Sequence, residues 1–147
     1  MTPKETTILR FAHMVFAMPK PQREQALRAL LEREEGLVLQ YCAFAAEADC
    51  ADLAYHAIFK ALDTNRPFAG QAYGGRGMSR AFRLSTLFSF LGAALRRDPR
   101  FAALCARVAL ADYWCESQNW PDCVDEVKAI YDFRAACEKA AASRQAP

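Results

Sequence analysis

Apolar side chains recur at three- and four-residue intervals along most of the chain, which is the spacing of one face of an α-helix. The first such stretch follows the Thr2-Pro3 pair and ends before the prolines at positions 19 and 21, because proline cannot continue a helix. A second stretch runs from Pro21 to Tyr41, with Gly36 as a point where it is either interrupted or only weakened. The N-terminal third is therefore predicted to be helical.

Four further stretches have the same spacing: residues 49–63, 79–97, 98–114 and 124–137. Within residues 79–97, the predicted core face consists of Leu84, Leu87, Phe88, Leu91 and Leu95. Alanine and leucine are abundant and β-branched residues are scarce, a balance that favours helix over strand. We expect an all-α fold, a single bundle of about six helices.

Residues 64–78 form the longest irregular stretch and divide the pattern into two halves. We expect one domain over residues 1–147, with N-terminal helices at 1–63, a Gly- and Arg-containing loop at 64–78, C-terminal helices at 79–142 and a frayed tail at 143–147. Segments 41–52 and 114–125 share an aromatic-Cys pair and a second cysteine eight residues after the first. Two related helical hairpins joined by the loop would explain this repeat, and so would a chance similarity between alanine-rich helices.

Composition places the chain among folded globular proteins. Of its 147 residues, 53% are hydrophobic and 24% are charged, which is unlike a disordered segment. The first residues are charged where a secretory leader would be apolar, and the longest uncharged run, residues 84–95, is too short to cross a bilayer. We therefore expect a cytoplasmic protein with reduced cysteines and no membrane contact.

Charge is distributed unevenly along the chain, although the net charge is only +2. Residues 60–107 contain nine basic and two acidic side chains, whereas residues 22–59 contain three basic and seven acidic ones. Residues 108–147 are again acidic, with four basic and seven acidic side chains. A basic middle between two acidic ends predicts a contact surface for an acidic partner.

The loop includes the stretch GQAYGGRGMSR at residues 70–80, which holds four of the six glycines. A phosphate-binding P-loop needs lysine after its last glycine, and a dinucleotide site needs a preceding strand; neither is present. We interpret the stretch as a connection between helical halves. Its arginines, together with the helix start near Ser79, could also hold an anion.

Arg83, Phe90 and Arg97 are seven residues apart and align on one face of the helix predicted at residues 79–97. An aromatic ring between guanidinium groups suits carboxylates, phosphates or stacked bases, and the alternative is a solvated face with Phe90 partly buried. The candidate partner- or anion-binding residues are Arg66, Tyr73, Arg76, Arg80, Arg83, Phe90, Arg97 and Arg100.

The six cysteines do not have the spacing of a zinc site, whose ligand pairs usually lie two to four residues apart. No Glu-x-x-His motif of di-iron bundles occurs, and no catalytic triad can be assigned. We expect buried thiols, with no metal, cofactor or catalytic residue. The alternative is a small enzyme, or a metal or cofactor carrier, that uses the cysteines and His56.

These features favour a small, non-catalytic binding or regulatory protein. Its basic central surface would engage, and inhibit, an acidic protein or nucleoprotein partner. Direct nucleic-acid binding is a second interpretation, although dedicated nucleic-acid-binding domains usually have a larger positive charge. The charge pattern is also compatible with a homodimer in which acidic ends meet the basic middle of a second copy.

Overall fold

Residues 3–33, 38–64 and 84–145 are described by the computed structural model of this chain. Their helices are α1 (Pro3–Ala17), α2 (Lys20–Arg33), α3 (Val38–Glu47), α4 (Ala51–Asp63), α5 (Ser85–Phe88), α6 (Ala93–Arg96), α7 (Arg100–Arg107), α8 (Leu110–Ser117), α9 (Cys123–Val127) and α10 (Phe133–Gln145). One turn of 3-10 helix, Phe90–Gly92, lies between α5 and α6. The described residues contain no strand, so the all-α prediction is confirmed, but with ten α-helices rather than about six.

Local sequence signals account for several helix ends. Helix α1 begins at Pro3, where the fixed backbone angle of proline suits a first turn, and it ends before Pro19. Helix α4 ends at Asp63, as predicted, and the backbone N–H and hydroxyl of Thr64 both donate to the carbonyl oxygen of Lys60 at 3.1 Å. The second predicted stretch, Pro21 to Tyr41, covers nearly all of α2 and only the first residues of α3, which continues to Glu47. Gly36 lies outside the described residues.

Two groups of helices share one hydrophobic core. Helix α3 packs against α2, α4, α5 and α6, whereas α10 packs against α7, α8 and α9. Contacts between α4 and α7 join the groups. The largest fully buried side chains come from both: Val15, Leu27, Leu39, Tyr55, Ile58, Leu87, Leu95, Phe101, Leu104, Val127 and Phe133.

An aromatic cluster fixes α5 against the second group. The Phe88 ring lies 6.0 Å from that of Phe101 and 5.9 Å from that of Trp114, both edge to face. Phe101 in turn stacks on Phe133 at 5.7 Å. Because α5 also packs on α3, the segment from α5 to α6 lies between the two helix groups.

The single helix predicted at residues 79–97 is wrong for the part that the structure describes. Ser89 has an extended backbone (φ −81°, ψ 173°), which ends α5 and begins the 3-10 turn. The predicted core position Leu91 is consequently 48% exposed, and Phe88 is buried only in part. Leu84 is half-buried, whereas Leu87 and Leu95 are buried as predicted.

Two other predicted helices are also divided. Ala109 has a left-handed backbone (φ 63°) and separates α7 from α8. Residues 128–132 separate α9 from α10. Helix α10 continues to Gln145, and Arg144 contacts Asp112 at 2.6 Å. The frayed tail at residues 143–147 stays a prediction.

The two halves of the repeat are alike around their cysteines. Cys50 directly precedes α4, and Cys123 is the first residue of α9. The helices that follow differ, with 13 residues in α4 and 5 in α9. The duplication therefore stays a prediction.

Candidate binding surface around Phe90

Phe90 is 84% exposed, the most exposed of the large hydrophobic side chains that the structure describes. It begins the 3-10 turn between α5 and α6, and Leu91 beside it is also exposed. We call residues 89–92 the Phe90 turn. Transfer of an aromatic side chain from water is worth about 2–3 kcal/mol, so the exposure of Phe90 leaves a large apolar contribution unused by the fold.

The backbone of the Phe90 turn is held by Arg96, which is only 6% exposed. Its Nη1 donates to the carbonyl oxygens of Leu87 at 2.6 Å and Ser89 at 2.8 Å. Both carbonyls lie where α5 ends, so the arginine replaces the bonds that a continuing helix would have supplied. A buried side chain thus sets the break that places Phe90 in solvent.

Gly92 closes the turn from the other side. A Cβ atom at this position would lie 2.5 Å from the carbonyl oxygen of Leu87 and 2.6 Å from that of Thr86. The backbone angles of Gly92 (φ −84°, ψ 0°) are open to any residue. Glycine is required here for close approach of the backbone, not for its conformational freedom.

Neighbouring helices anchor α6 and its arginine. Arg96 Nε and Nη2 donate to the carboxylate of Glu126 at 2.9 and 3.1 Å, which links α6 to α9. The hydroxyl of Tyr131 donates to the carbonyl oxygen of Arg96 at 2.8 Å. On the opposite side, the hydroxyl of Tyr55 in α4 donates to the carbonyl oxygen of Leu95 at 2.7 Å. The Phe90 turn is therefore attached to both helix groups.

The structure describes three of the eight residues predicted for the partner site. Phe90 and Arg97 are exposed, and Arg97 forms no ion pair with another described residue. Because the helix is interrupted between them, the alignment argued from seven-residue spacing does not hold for this pair. The remaining five predicted residues lie outside the described residues: Arg66, Tyr73, Arg76, Arg80 and Arg83.

Arg100 has a different environment from the one predicted. Its guanidinium pairs with Asp98 at 2.6 Å and with Asp52 at 2.8 Å, and it lies 4.7 Å from the centre of the Tyr55 ring. These contacts join α7 to α4. The guanidinium of Arg100 is already bound by two carboxylates of the same chain, so its role in joining the helices explains why an arginine is present here.

Two more arginines of the basic middle are paired in the same way. Arg96 binds Glu126, and Arg107 binds Asp63 at 2.6 Å. Acidic residues thus neutralise part of the basic middle, Glu126 from the C-terminal block and Asp63 from within the middle itself. Sequence analysis missed the role of Arg96, because an arginine after an apolar run is equally compatible with a helix end at the surface.

The thiols are poorly suited to nucleophilic or redox chemistry. Five of the six cysteines are buried, and Cys115 is half-buried. Burial raises the pKa of Cys42 and Cys137 to about 12 and that of Cys123 to about 11, so these thiols are protonated at neutral pH. Cys50 is buried and donates its S–H to the carbonyl oxygen of Ala48 at 3.5 Å. A thiolate mechanism has no support here.

Neither a cluster of metal ligands nor a membrane-spanning helix is found among the described residues. No three His, Cys, Asp or Glu side chains at residues 3–33, 38–64 and 84–145 are grouped so that they could hold a metal ion. No helix in the same ranges combines the length and apolar character that crossing a bilayer requires.

Comparison of the chain with protein-family models, curated proteins and solved structures finds no match.

Proposed function

We propose that this chain is a non-catalytic binding protein whose Phe90 turn, with the basic residues near it in sequence, engages an acidic protein or nucleoprotein partner. The observation that carries the proposal is the 84% exposure of Phe90 on a backbone held by buried hydrogen bonds. Exposed apolar side chains grouped on a surface mark interaction sites, and aromatic and arginine residues dominate binding hot spots.

Rigidity is the reason that exposure here favours binding. A side chain on a backbone that is already ordered loses less conformational entropy when it is buried by a partner. Arg96, Gly92 and Tyr131 order the Phe90 turn in the free protein. Phe90 then inserts into an apolar pocket of the partner at low cost.

Charge defines the rim of the interface. Arg97 is exposed, and the arginines at positions 66, 76, 80 and 83 precede the turn in sequence. A pocket rimmed by Asp and Glu residues, or by phosphates, complements this arrangement. Such charges raise the association rate and select the partner, whereas the aromatic contact supplies most of the affinity. Occupation of the partner's pocket is also how the chain would inhibit it.

The test compares matched variants in capture from extracts of the native host, followed by affinity measurement with the purified partner. Phe90→Ser is expected to weaken binding by at least about 30-fold, which is a loss of about 2 kcal/mol, and Arg97→Glu is expected to slow association. Ile130→Ser and Lys139→Glu serve as controls because Ile130 is 54% exposed and Lys139 is exposed on α10. Undiminished capture by both Phe90→Ser and Arg97→Glu would reject the proposal.

Direct nucleic-acid binding is the second candidate, and the joint exposure of Phe90 and Arg97 favours it. A base can stack on the phenyl ring while the guanidinium contacts a phosphate. Fluorescence anisotropy with a single-stranded RNA at 50 and 200 mM salt separates the two candidates. Phosphate contacts predict a steep loss of affinity with salt. A salt-insensitive affinity, or none, leaves the protein partner.

A further inference from the structure

A cleft between α2 and α4 has a volume of about 240 Å³. None of the residues that line it belongs to the Phe90 turn. Its apolar lining consists of Leu31, Leu53, Ala57 and Ala61. Leu53 and Ala61 are buried, and the other two are half-buried. The cleft is smaller than the 300–1,000 Å³ that is typical of sites for drug-sized molecules, so its occupant is small.

Polar groups surround this apolar lining. Arg28 and Glu32 come from α2, and His56 and Lys60 come from α4, with Thr64 just beyond its end. The Thr64 hydroxyl is already used, since it donates to the carbonyl oxygens of Lys60 and Ala61. The rim therefore offers two permanent cations and one imidazole against a single carboxylate.

The nitrogen-bearing side chains of the rim have no partner among the residues that the structure describes. Arg28, His56 and Lys60 form no ion pair or side-chain hydrogen bond there. Most of the other described cations do form such contacts: Lys20, Arg23, Arg96, Arg100, Arg107, Lys128 and Arg144. Two helices thus present donors to one cleft, and Glu32 on the same rim forms no hydrogen bond or ion pair with them.

We propose that this cleft binds a small organic carboxylate with an apolar body. The carboxylate accepts hydrogen bonds from Arg28 and Lys60, which stand on opposite helices, and the apolar body covers Leu53 and Ala57. A hydrated phosphate would gain nothing from the apolar lining, and a neutral apolar molecule would leave the cations without a partner. A molecule that has both a carboxylate and an apolar body fits both the cations and the apolar lining.

The test is a ¹H–¹⁵N NMR titration of the full chain with butanoate, hexanoate and benzoate. Saturable shifts at the amides of residues 28, 56 and 60 are expected, with hexanol and inorganic phosphate producing neither. Lys60→Gln and Arg28→Gln should each weaken carboxylate binding at least tenfold. Lys139→Glu, on α10, should leave it unchanged. Both glutamine substitutions replace exposed side chains, so the variants keep their fold.

Three results would overturn the proposal: no saturable binding of any of the three carboxylates, equal binding of hexanol, or unchanged affinity in both glutamine variants. Ala57→Phe gives a second check, because a phenyl group there fills the cleft and should abolish binding. Phe90→Ser should not affect the titration. The cleft and the Phe90 turn can therefore fail or succeed independently.

Discussion

Arg96 and Glu126 are joined by two hydrogen bonds, Nε to Oε2 at 2.9 Å and Nη2 to Oε1 at 3.1 Å. Nη1 of the same guanidinium donates to the carbonyl oxygens of Leu87 and Ser89 at the end of α5. One side chain therefore connects α9 to the Phe90 turn. It also gives a donor to two backbone carbonyls, of which that of Ser89 accepts from the Gly92 N–H as well.

Arg96→Ala should lower the free energy of unfolding by about 3 kcal/mol, since it breaks the pair with Glu126 and removes the Arg96 donor from the Leu87 carbonyl. Urea denaturation followed by circular dichroism measures the loss. Arg96→Lys should recover little of it, because an ammonium cannot reproduce the fork of donors. Full recovery by lysine would show that charge alone, not the directed bonds, holds the turn.

Gly92→Ala should destabilise the protein by about 1–3 kcal/mol, because the added methyl group meets backbone atoms rather than a side chain that can move. Phe90→Ala, two residues earlier, should leave stability unchanged, since Phe90 contributes almost no buried surface. Thermal unfolding of the two variants makes the comparison. Equal losses would mean that Phe90 is packed in solution.

Ala109→Gly should raise the free energy of unfolding by about 0.5–1 kcal/mol, because alanine is strained at a positive φ and glycine is not. The matched substitution Ala103→Gly, at an exposed position within α7, should instead lower it by about 1 kcal/mol. Urea denaturation of both variants measures the opposite signs. Losses in both would argue against the left-handed backbone.

The contribution of Asp98 to the free energy of unfolding should be lost at acid pH. The hydrogen bonds from the Arg100 side chain, together with that from its backbone N–H, lower the pKa of Asp98 below its ordinary value of 3.8. The folded state therefore binds the proton less tightly than the unfolded state, and this contribution is full above pH 3.8 and is lost as the pH falls through the folded pKa. Asp98→Asn should flatten the decline in unfolding free energy measured from pH 5 to 2. An unchanged slope would contradict the Arg100 pairing.

Cys42 should have the opposite effect at alkaline pH. Burial raises its pKa from 9.0 to about 12, so above pH 9 the unfolded thiol loses its proton while the folded one keeps it. Stability then falls with rising pH over this window. The unfolding free energy of Cys42→Ala should fall less steeply than that of the wild type between pH 9 and 11, as measured by urea denaturation. Parallel curves would mean that Cys42 is accessible to solvent.

Sequence patterns predict the helices where proline or polar residues end them, as at Pro19 and Asp63. They fail at Ser89 and Ala109, because neither residue type is a helix breaker. At these two positions the helix ends because of contacts with residues distant in sequence or because of a strained backbone. Arg96, nine residues after Leu87, supplies the bonds that make the break at Ser89 favourable.

The candidate site is only partly predictable for the same reason. Phe90 and Arg97 are recognisable as an aromatic and a basic residue in a basic region, but the exposure of Phe90 depends on the turn. Arg100 is also a basic residue in the basic region, but its side chain is bound by Asp52, which lies in another helix. Residue type alone does not separate a free arginine from a paired one.

The ion pairs of the basic middle connect blocks of opposite charge that are distant along the chain. Arg96 reaches Glu126 in the acidic C-terminal block, 30 residues away, and Arg100 reaches Asp52 in the acidic block of residues 22–59. During collapse these blocks attract each other once they come within about 10 Å at 0.1 M salt. Collapse is thereby biased towards native neighbours, and added salt should slow refolding. The order of charges along the chain helps to decide which helices meet first.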